Sequence, residues 1–158
     1  MKRFITLMLA MVMALSLAAC GSKDTASVDA AGLAKALAEK VQFDGGMTAL
    51  SADDASFYLA EDLPDGLPEG STISAYMSAG NTLEEIFVVS CKTKTDADAV
   101  KVAIQTLLDS QMKQAETYQP DEVTRLNGAI FGTYGTCVVL CVTSDTDTAN
   151  AVIKEYVG

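Results

Sequence analysis

Three cysteines, Cys91, Cys137 and Cys141, are the strongest potential nucleophiles in the second half of the chain. The chain has no histidine, which excludes Ser-His-Asp and Cys-His catalysis and every imidazole metal site. It also has no Cys-x-x-Cys motif, so nothing identifiable would activate a thiolate. We therefore expect three buried thiols that pack as small apolar side chains.

At most one disulfide can form among these three thiols. Cys137 and Cys141 would lie about 13 Å apart on a single strand, which is too far for a bridge. The sequence leaves open whether Cys91 pairs with Cys137, with Cys141 or with neither.

Ser110 and Lys113 have the Ser-x-x-Lys spacing of penicillin-binding enzymes, in which the serine is the nucleophile. The partner motifs Ser-Asp-Asn and Lys-Thr-Gly are missing, and the chain is too short for that fold. We expect the two residues to lie on an exposed stretch of a long helix, and we predict no catalytic residue.

Paired aspartates, Asp96 with Asp98 and Asp145 with Asp147, have a spacing that could share a calcium ion. Neither pair continues into the glycine and distal glutamate of a calcium loop. Both precede predicted helices, where acidic side chains bind free backbone N–H groups and favour the helix dipole. Capping is the preferred interpretation, and no metal ligand or cofactor is predicted. A looser acidic loop, which leaves a weak metal site as an alternative, contains Glu61, Asp62, Asp65 and Glu69.

The elements that position these residues follow from hydrophobic spacing. Helices are predicted over 29–41, from Thr95 or Asp96 to about Ala115, and over 147–156. Strands are predicted over 73–78, 85–92, 129–133 and 136–143, the last two forming a hairpin around Tyr134-Gly135. Pro120 interrupts the long helix, and 121–126 is predicted to add a further turn. The segment 43–72 shows no clear pattern.

Two stretches of the sequence look like an internal repeat. The segment 88–93 matches 138–143, and an acidic helix start follows each of them. Each copy is a hairpin followed by a helix. The predicted fold class is α+β: a two-layer ββαββα core whose four-stranded antiparallel sheet is packed on one face by helices, plus an N-terminal helix.

The two-residue period of a strand assigns side chains to the faces of this sheet. Phe87, Val89 and Cys91 are assigned to the face packed by helices, and Ser90 to the opposite face. The repeat then places a second set of side chains on the same buried face, namely Cys137, Val139 and Cys141.

The N-terminus has the features of a secretion signal. Lys2 and Arg3 precede a short apolar run that ends in Leu17-Ala18-Ala19-Cys20. This end resembles the lipobox of bacterial lipoproteins. The resemblance implies that diacylglycerol is attached to the Cys20 sulfur and that signal peptidase II cuts between Ala19 and Cys20. The expected organisation is a signal peptide at 1–19, a lipidated cysteine and flexible tether at 20–28, and a single α+β domain of unknown function at 29–158.

The mature chain also resembles a domain-of-unknown-function family of clostridial-type (Gram-positive) lipoproteins from about Asp29 onward. Three segments support this resemblance: 82–88 (Thr-Leu-Glu-Glu-Ile-Phe-Val), 95–98 (Thr-Asp-Ala-Asp) and 118–122 (Tyr-Gln-Pro-Asp-Glu). The resemblance implies an α+β architecture and an envelope location, and it supplies no activity.

The charge of the chain limits the partners of this domain. Removal of Lys2 and Arg3 leaves nine of the 11 basic residues against 21 acidic ones, a net charge of −12. Such a surface repels nucleic acid and anionic lipid headgroups. We expect a non-enzymatic, extracytoplasmic module on the cell membrane, held in the bilayer by acylated Cys20, that binds an envelope protein or a small ligand. The alternative is a capture protein for a small cationic ligand or metal ion.

Overall fold

The computed structural model of the chain describes residues 28–158. The predicted signal peptide, the Ala19–Cys20 cleavage site and the lipidation of Cys20 therefore lie outside the described residues. Five α-helices occur in the described part: α1 (Ala30–Lys40), α2 (Ala52–Phe57), α3 (Lys94–Tyr118), α4 (Val123–Asn127) and α5 (Thr146–Val157). Its five strands are β1 (Met47–Ala49), β2 (Thr72–Ser78), β3 (Glu85–Ser90), β4 (Ile130–Tyr134) and β5 (Cys137–Val142).

Local sequence signals explain where these helices and turns begin. The Asp29 carboxylate caps α1 by accepting a hydrogen bond from the backbone N–H of Gly32. Thr93 caps α3, because its side-chain oxygen accepts a hydrogen bond from the backbone N–H of Asp96. The Thr93 hydroxyl in turn donates a hydrogen bond to the Asp96 carboxylate at 2.6 Å. The cap therefore lies two or three residues before the predicted Thr95 or Asp96. Gly135 turns the β4–β5 hairpin with a positive φ of 63°, which glycine adopts without strain.

The five strands form one antiparallel sheet in the order β1-β2-β3-β5-β4. The predicted α+β class is confirmed, whereas the prediction of four strands is wrong. The additional strand, β1, lies in the segment without a clear pattern and pairs with β2 at the sheet edge. Its three residues are too few to show a strand period in the sequence.

Helices cover both faces of the sheet, so the predicted two-layer arrangement is wrong. Phe87 and Val89 on β3 pack in one core with α2, α3 and α4. Ile86 and Val88 on the same strand pack in a second core with α1 and α5. All six side chains of β3 and all six of β5 are buried, as expected for strands enclosed on both sides.

The repeat assigned one face wrongly. Val89 pairs with Val138 and Val88 pairs with Val139, so Val139 lies on the face opposite to Val89. Each matched valine instead faces the helix that follows its own strand. Ser90 is not on an exposed face, because its exposed fraction is only 8%.

Truncation of the two valines tests this three-layer arrangement. We expect Val89→Ala and Val139→Ala each to lower the free energy of unfolding by about 2 kcal/mol, because each removes two methyl groups from a packed core. The matched control is Val102→Ala at a position 57% exposed, which should change it by less than about 0.5 kcal/mol. Urea unfolding of residues 28–158, which contain both cores, measures all three. A mild Val139→Ala beside a costly Val89→Ala would mean that only one face is packed.

Candidate functional site

A partly buried ion cluster joins three separate segments at one end of the sheet. Arg125 on α4 forms ion pairs with Glu122 and with Asp44, and its Nε lies 3.7 Å from Glu84 Oε1. Glu84 immediately precedes β3, and Asp44 precedes β1. Glu84 is fully buried, and the Arg125 side chain is nearly so.

The carboxylates of this cluster also bind the backbone. Glu84 accepts hydrogen bonds from the N–H groups of Asp44 and Gly45 at 2.9 to 3.0 Å, and from the Thr82 hydroxyl at 2.9 Å. Glu122 Oε2 accepts from the N–H of Leu83 at 2.9 Å. Burial alone would lower the pKa of Arg125, but its hydrogen bond to Glu122 and the surrounding carboxylates raise that pKa overall. The guanidinium is therefore a permanent cation, and the cluster holds these loops together.

We expect Arg125→Met to destabilise the fold by about 2 kcal/mol. Loss of the guanidinium leaves the buried Glu84 without its cation, which typically costs more. The cost is reduced here because Glu84 keeps its backbone and hydroxyl donors. The matched control is Lys40→Met, which breaks the exposed pair with Glu155 and should leave the free energy of unfolding nearly unchanged. If urea unfolding shows equally small decreases in the free energy of unfolding for Arg125→Met and Lys40→Met, the cluster does not stabilise the fold.

Glu85, the next residue, is a buried carboxyl without a cation. Gln111 on α3 donates a hydrogen bond from Nε2 to Glu85 Oε2 at 2.9 Å. Glu85 Oε1 and Gln111 Oε1 are both buried and unpartnered. Burial raises the pKa of Glu85 to about 7, although the hydrogen bond from Gln111 lowers it in part. A proton on Glu85 removes the buried negative charge and adds a hydrogen-bond donor at a place where two acceptors are unpartnered.

The three described thiols are buried and free, which confirms that they pack as core side chains. Cys91 lies in the core beneath α3, whereas Cys137 and Cys141 lie in the core beneath α1 and α5. The sheet therefore separates Cys91 from both possible disulfide partners. Burial raises the pKa of Cys91, and it raises the pKa of Cys137 and of Cys141 to about 12. Such thiols are poor nucleophiles at neutral pH.

The acidic pairs lie at helix starts, as predicted. Asp145 caps α5 and also accepts from the N–H of Gln42 at 3.2 Å. The hydrogen bond from Gln42 lowers the pKa of Asp145. Asp96 belongs to the α3 cap and Asp147 lies in the first turn of α5, whereas Asp98 is the fifth residue of α3 and lies just beyond its first turn. Within residues 28–158, no three acidic or cysteine side chains are arranged to hold a metal ion. The acidic loop at 61–69 is exposed to solvent.

Ser110 and Lys113 lie on an exposed part of α3, as predicted. They line a shallow cleft that also contains Glu61 and Asp109.

An aromatic cleft adjoins that surface. It has a volume of about 270 Å³ and lies between the end of α2 and the middle of α3, where it is lined by Phe57, Tyr58, Leu59, Glu61, Ala103, Thr106, Leu107 and Ser110. Phe57 is 79% exposed and Tyr58 is 41% exposed. Sequence reasoning missed both aromatics because the six residues of α2 are too few to show which side chains face outward.

The structure brings together two of the segments that supported the family resemblance. Leu83 and Glu84 contact Glu122 and Arg125, which follow about 40 residues later in the chain. Sequence reasoning missed this cluster because charged residues are usually exposed. The only sequence signal was a pair of glutamates placed directly before an apolar strand.

Residues 70–143 match a family described as Domain of unknown function (DUF4358). The match includes Glu84, Glu85, Gln111, Glu122 and Arg125, and it begins after the aromatic residues of α2. The predicted resemblance to a domain-of-unknown-function family is thus confirmed over this range, which is shorter than the predicted one. No curated protein and no solved structure gave a significant match to the chain.

Proposed function

We propose that the chain is an extracytoplasmic lipoprotein, anchored to the membrane through Cys20, whose folded domain is a non-catalytic binding or interaction module. The anchor is supported by the basic start, the short apolar run and the Leu17-Ala18-Ala19-Cys20 box. Two acyl chains hold a protein stably on a bilayer. None of the helices in residues 28–158 has the length and apolar character to cross a membrane.

The observation that carries the binding role is the contrast between buried charge and exposed aromatic surface. Glu84, Glu122 and Arg125 are occupied with one another and with the backbone, and the thiols are buried. Phe57 and Tyr58, in contrast, are presented to solvent beside a cleft. Exposed aromatic side chains around a depression are typical of protein interaction sites.

The alternative, capture of a small cationic ligand or metal ion, is less well supported. The acidic net charge favours cations, and a small cleft is lined by Gln42, Asp44, Ser144 and Asp145. Both carboxylates of this cleft already have partners, however: Asp44 pairs with Arg125, and Asp145 accepts from backbone N–H groups.

Purification of the intact lipoprotein from native membranes after chemical cross-linking tests the binding role. We expect a protein partner in near-stoichiometric amount, and less of it with the destabilised double variant Val89→Ala, Val139→Ala. A bound cation without a protein partner would support the alternative instead. Recovery of the chain alone, without protein or ligand, would contradict the proposal.

A further inference from the structure

The aromatic cleft has a rigid support. Tyr58 packs edge-on against the buried Phe87, with ring centroids 6.1 Å apart. Leu59 and Ala55 are buried on either side of the exposed aromatics, and Ser51 caps α2. Phe57, the last residue of this short helix, is therefore exposed to solvent next to residues that are packed in the core. A rigid aromatic anchor loses little conformational entropy when a partner binds.

The apolar surface extends from the cleft along α3. Val102 is 57% exposed and lies one helical turn before Thr106, which lines the cleft. Single exposed apolar residues are common on protein surfaces. Two aromatics at the cleft and a valine one helical turn away form a larger patch, of the kind that marks an interaction site.

Acidic residues are concentrated in the segment that forms one side of this cleft. The segment 52–71, which contains α2 and the loop after it, has six acidic residues, Asp53, Asp54, Glu61, Asp62, Asp65 and Glu69, and no Lys or Arg. No basic residue occurs anywhere between Lys40 and Lys92. On α3, Lys101 and Lys113 are exposed, and Lys113 lines the neighbouring cleft together with Glu61 and Asp109. The margin formed by α2 and its loop is therefore rich in carboxylates, with Lys92 as a cation against Gly70 at the end of the loop.

This charge selects among possible occupants of the cleft. A second copy of the chain would bring the same carboxylates, and an anionic membrane surface would be repelled. A partner with basic side chains around an apolar one would meet both features of the surface. The cleft also lies on the α3 side of the sheet. Val28, the first described residue after Cys20, packs against the core on the opposite side of the sheet.

We propose that the cleft between α2 and α3 docks a basic amphipathic segment of a partner protein. An apolar side chain of that segment packs against Phe57 and Tyr58, and its Lys or Arg residues lie beside Glu61 and the acidic loop. This inference rests on the proposed role as an interaction module, because it names the surface and the chemistry of the partner.

The test uses residues 28–158 and a fluorescent synthetic peptide of leucine and lysine with amphipathic helical spacing. We expect binding that weakens as sodium chloride rises from about 50 to about 300 mM, because salt screens exposed charges. Phe57→Ser should weaken binding about tenfold or more, as loss of an aromatic anchor usually does. The matched control is Tyr118→Ser, which changes an aromatic of similar exposure (76%) that also ends its helix.

Several results would overturn the docking surface. Equal weakening by Phe57→Ser and Tyr118→Ser would do so, as would equal binding of a peptide with glutamate in place of lysine. Sedimentation showing a dimer that Phe57→Ser dissociates would assign the patch to a second copy. Phe57-dependent binding to phosphatidylglycerol vesicles would assign it to the membrane.

A separate comparison distinguishes failure of this inference from failure of the proposed function. The cross-linked partner is isolated with the intact lipoprotein and with its Phe57→Ser variant. Loss of the partner in the variant supports docking at the cleft. Retention of the partner by both proteins leaves the interaction module standing and overturns the cleft as its site.

Discussion

Replacement of Cys20 by serine is expected to abolish lipid attachment entirely. The thioether to diacylglycerol requires the cysteine sulfur, which a serine hydroxyl does not replace. Signal peptidase II acts on the lipidated precursor, so the uncut chain should accumulate as well. Labelling of cells with a radioactive fatty acid, followed by electrophoresis of the isolated chain, measures both effects. The expected change is complete, because no other residue can form the same anchor.

Cys91→Ala is the matched control for this experiment. It removes a buried thiol from the core beneath α3, far along the chain from the predicted lipobox. It should leave lipid labelling and cleavage unchanged even if the folded domain is weakened. A labelled, normally processed Cys20→Ser chain would contradict the anchor.

The second large effect is a change in the pH dependence of stability when Glu85 is replaced by glutamine. The pKa of Glu85 is raised from an ordinary value of 4.5 to about 7 in the folded chain, because burial disfavours the carboxylate. The folded state therefore binds a proton that the unfolded state has lost. The associated stability is fully present below about pH 4.5 and is lost as pH rises to about 7.

This loss amounts to about 3 kcal/mol, at roughly 1.4 kcal/mol for each pH unit between the two pKa values. Glu85→Gln keeps the shape of the neutral acid and can both donate to Gln111 and accept from it. We expect the variant to match the natural chain in acid and to exceed its free energy of unfolding by about 3 kcal/mol at pH 8. Urea unfolding between pH 4 and pH 8 measures the difference.

Few neighbouring groups besides Glu85 itself could produce such a pH-dependent change. Met77 on β2 and Val142 on β5 pair with it, and Gln111 faces it from α3. Its titratable neighbours include Glu84, next to it in sequence, and the thiol of Cys141. Glu69→Gln, in the exposed loop, controls for the loss of one negative charge. Parallel stability curves for the natural chain and Glu85→Gln would contradict a buried neutral acid.

The helices and the hairpin were the predictable part of the fold. The predicted helix over 29–41 corresponds to α1 with its caps, Asp29 and Val41, because an acidic N-cap and a leucine stripe both appear in the sequence. The β4–β5 turn was predictable for a similar reason, because Gly135 adopts the positive φ that such a turn requires. These features depend on residues close together in the chain, which sequence patterns describe well.

The second helical layer was missed because the end of β3 looked polar. Ser90 and Lys92 suggested a solvent face, yet Ser90 is buried. The better signal was the unbroken apolar run at 86–89, which lacks the alternation of a strand with one wet face. The repeat then assigned Val139 on β5 to the same face as Val89 on β3, although the two side chains lie on opposite faces.

The ion cluster depends on residues far apart in sequence and could not be predicted from one chain. Glu84 and Arg125 are 41 positions apart, and Asp44 lies a further 40 positions before Glu84. Only the folded arrangement of β3, α4 and the loop before β1 brings them together. The same limitation applies to the cleft, because Phe57 and Thr106 meet only after α2 packs near α3.

Mass spectrometry of the N-terminal peptide of the native protein, released from purified cell membranes, tests the anchored module most directly. We expect a chain that begins at Cys20 and carries diacylglycerol on that sulfur, with residues 1–19 absent. A chain from the same membranes that begins at another residue, or that begins at Cys20 with an unmodified thiol, would contradict the lipid anchor.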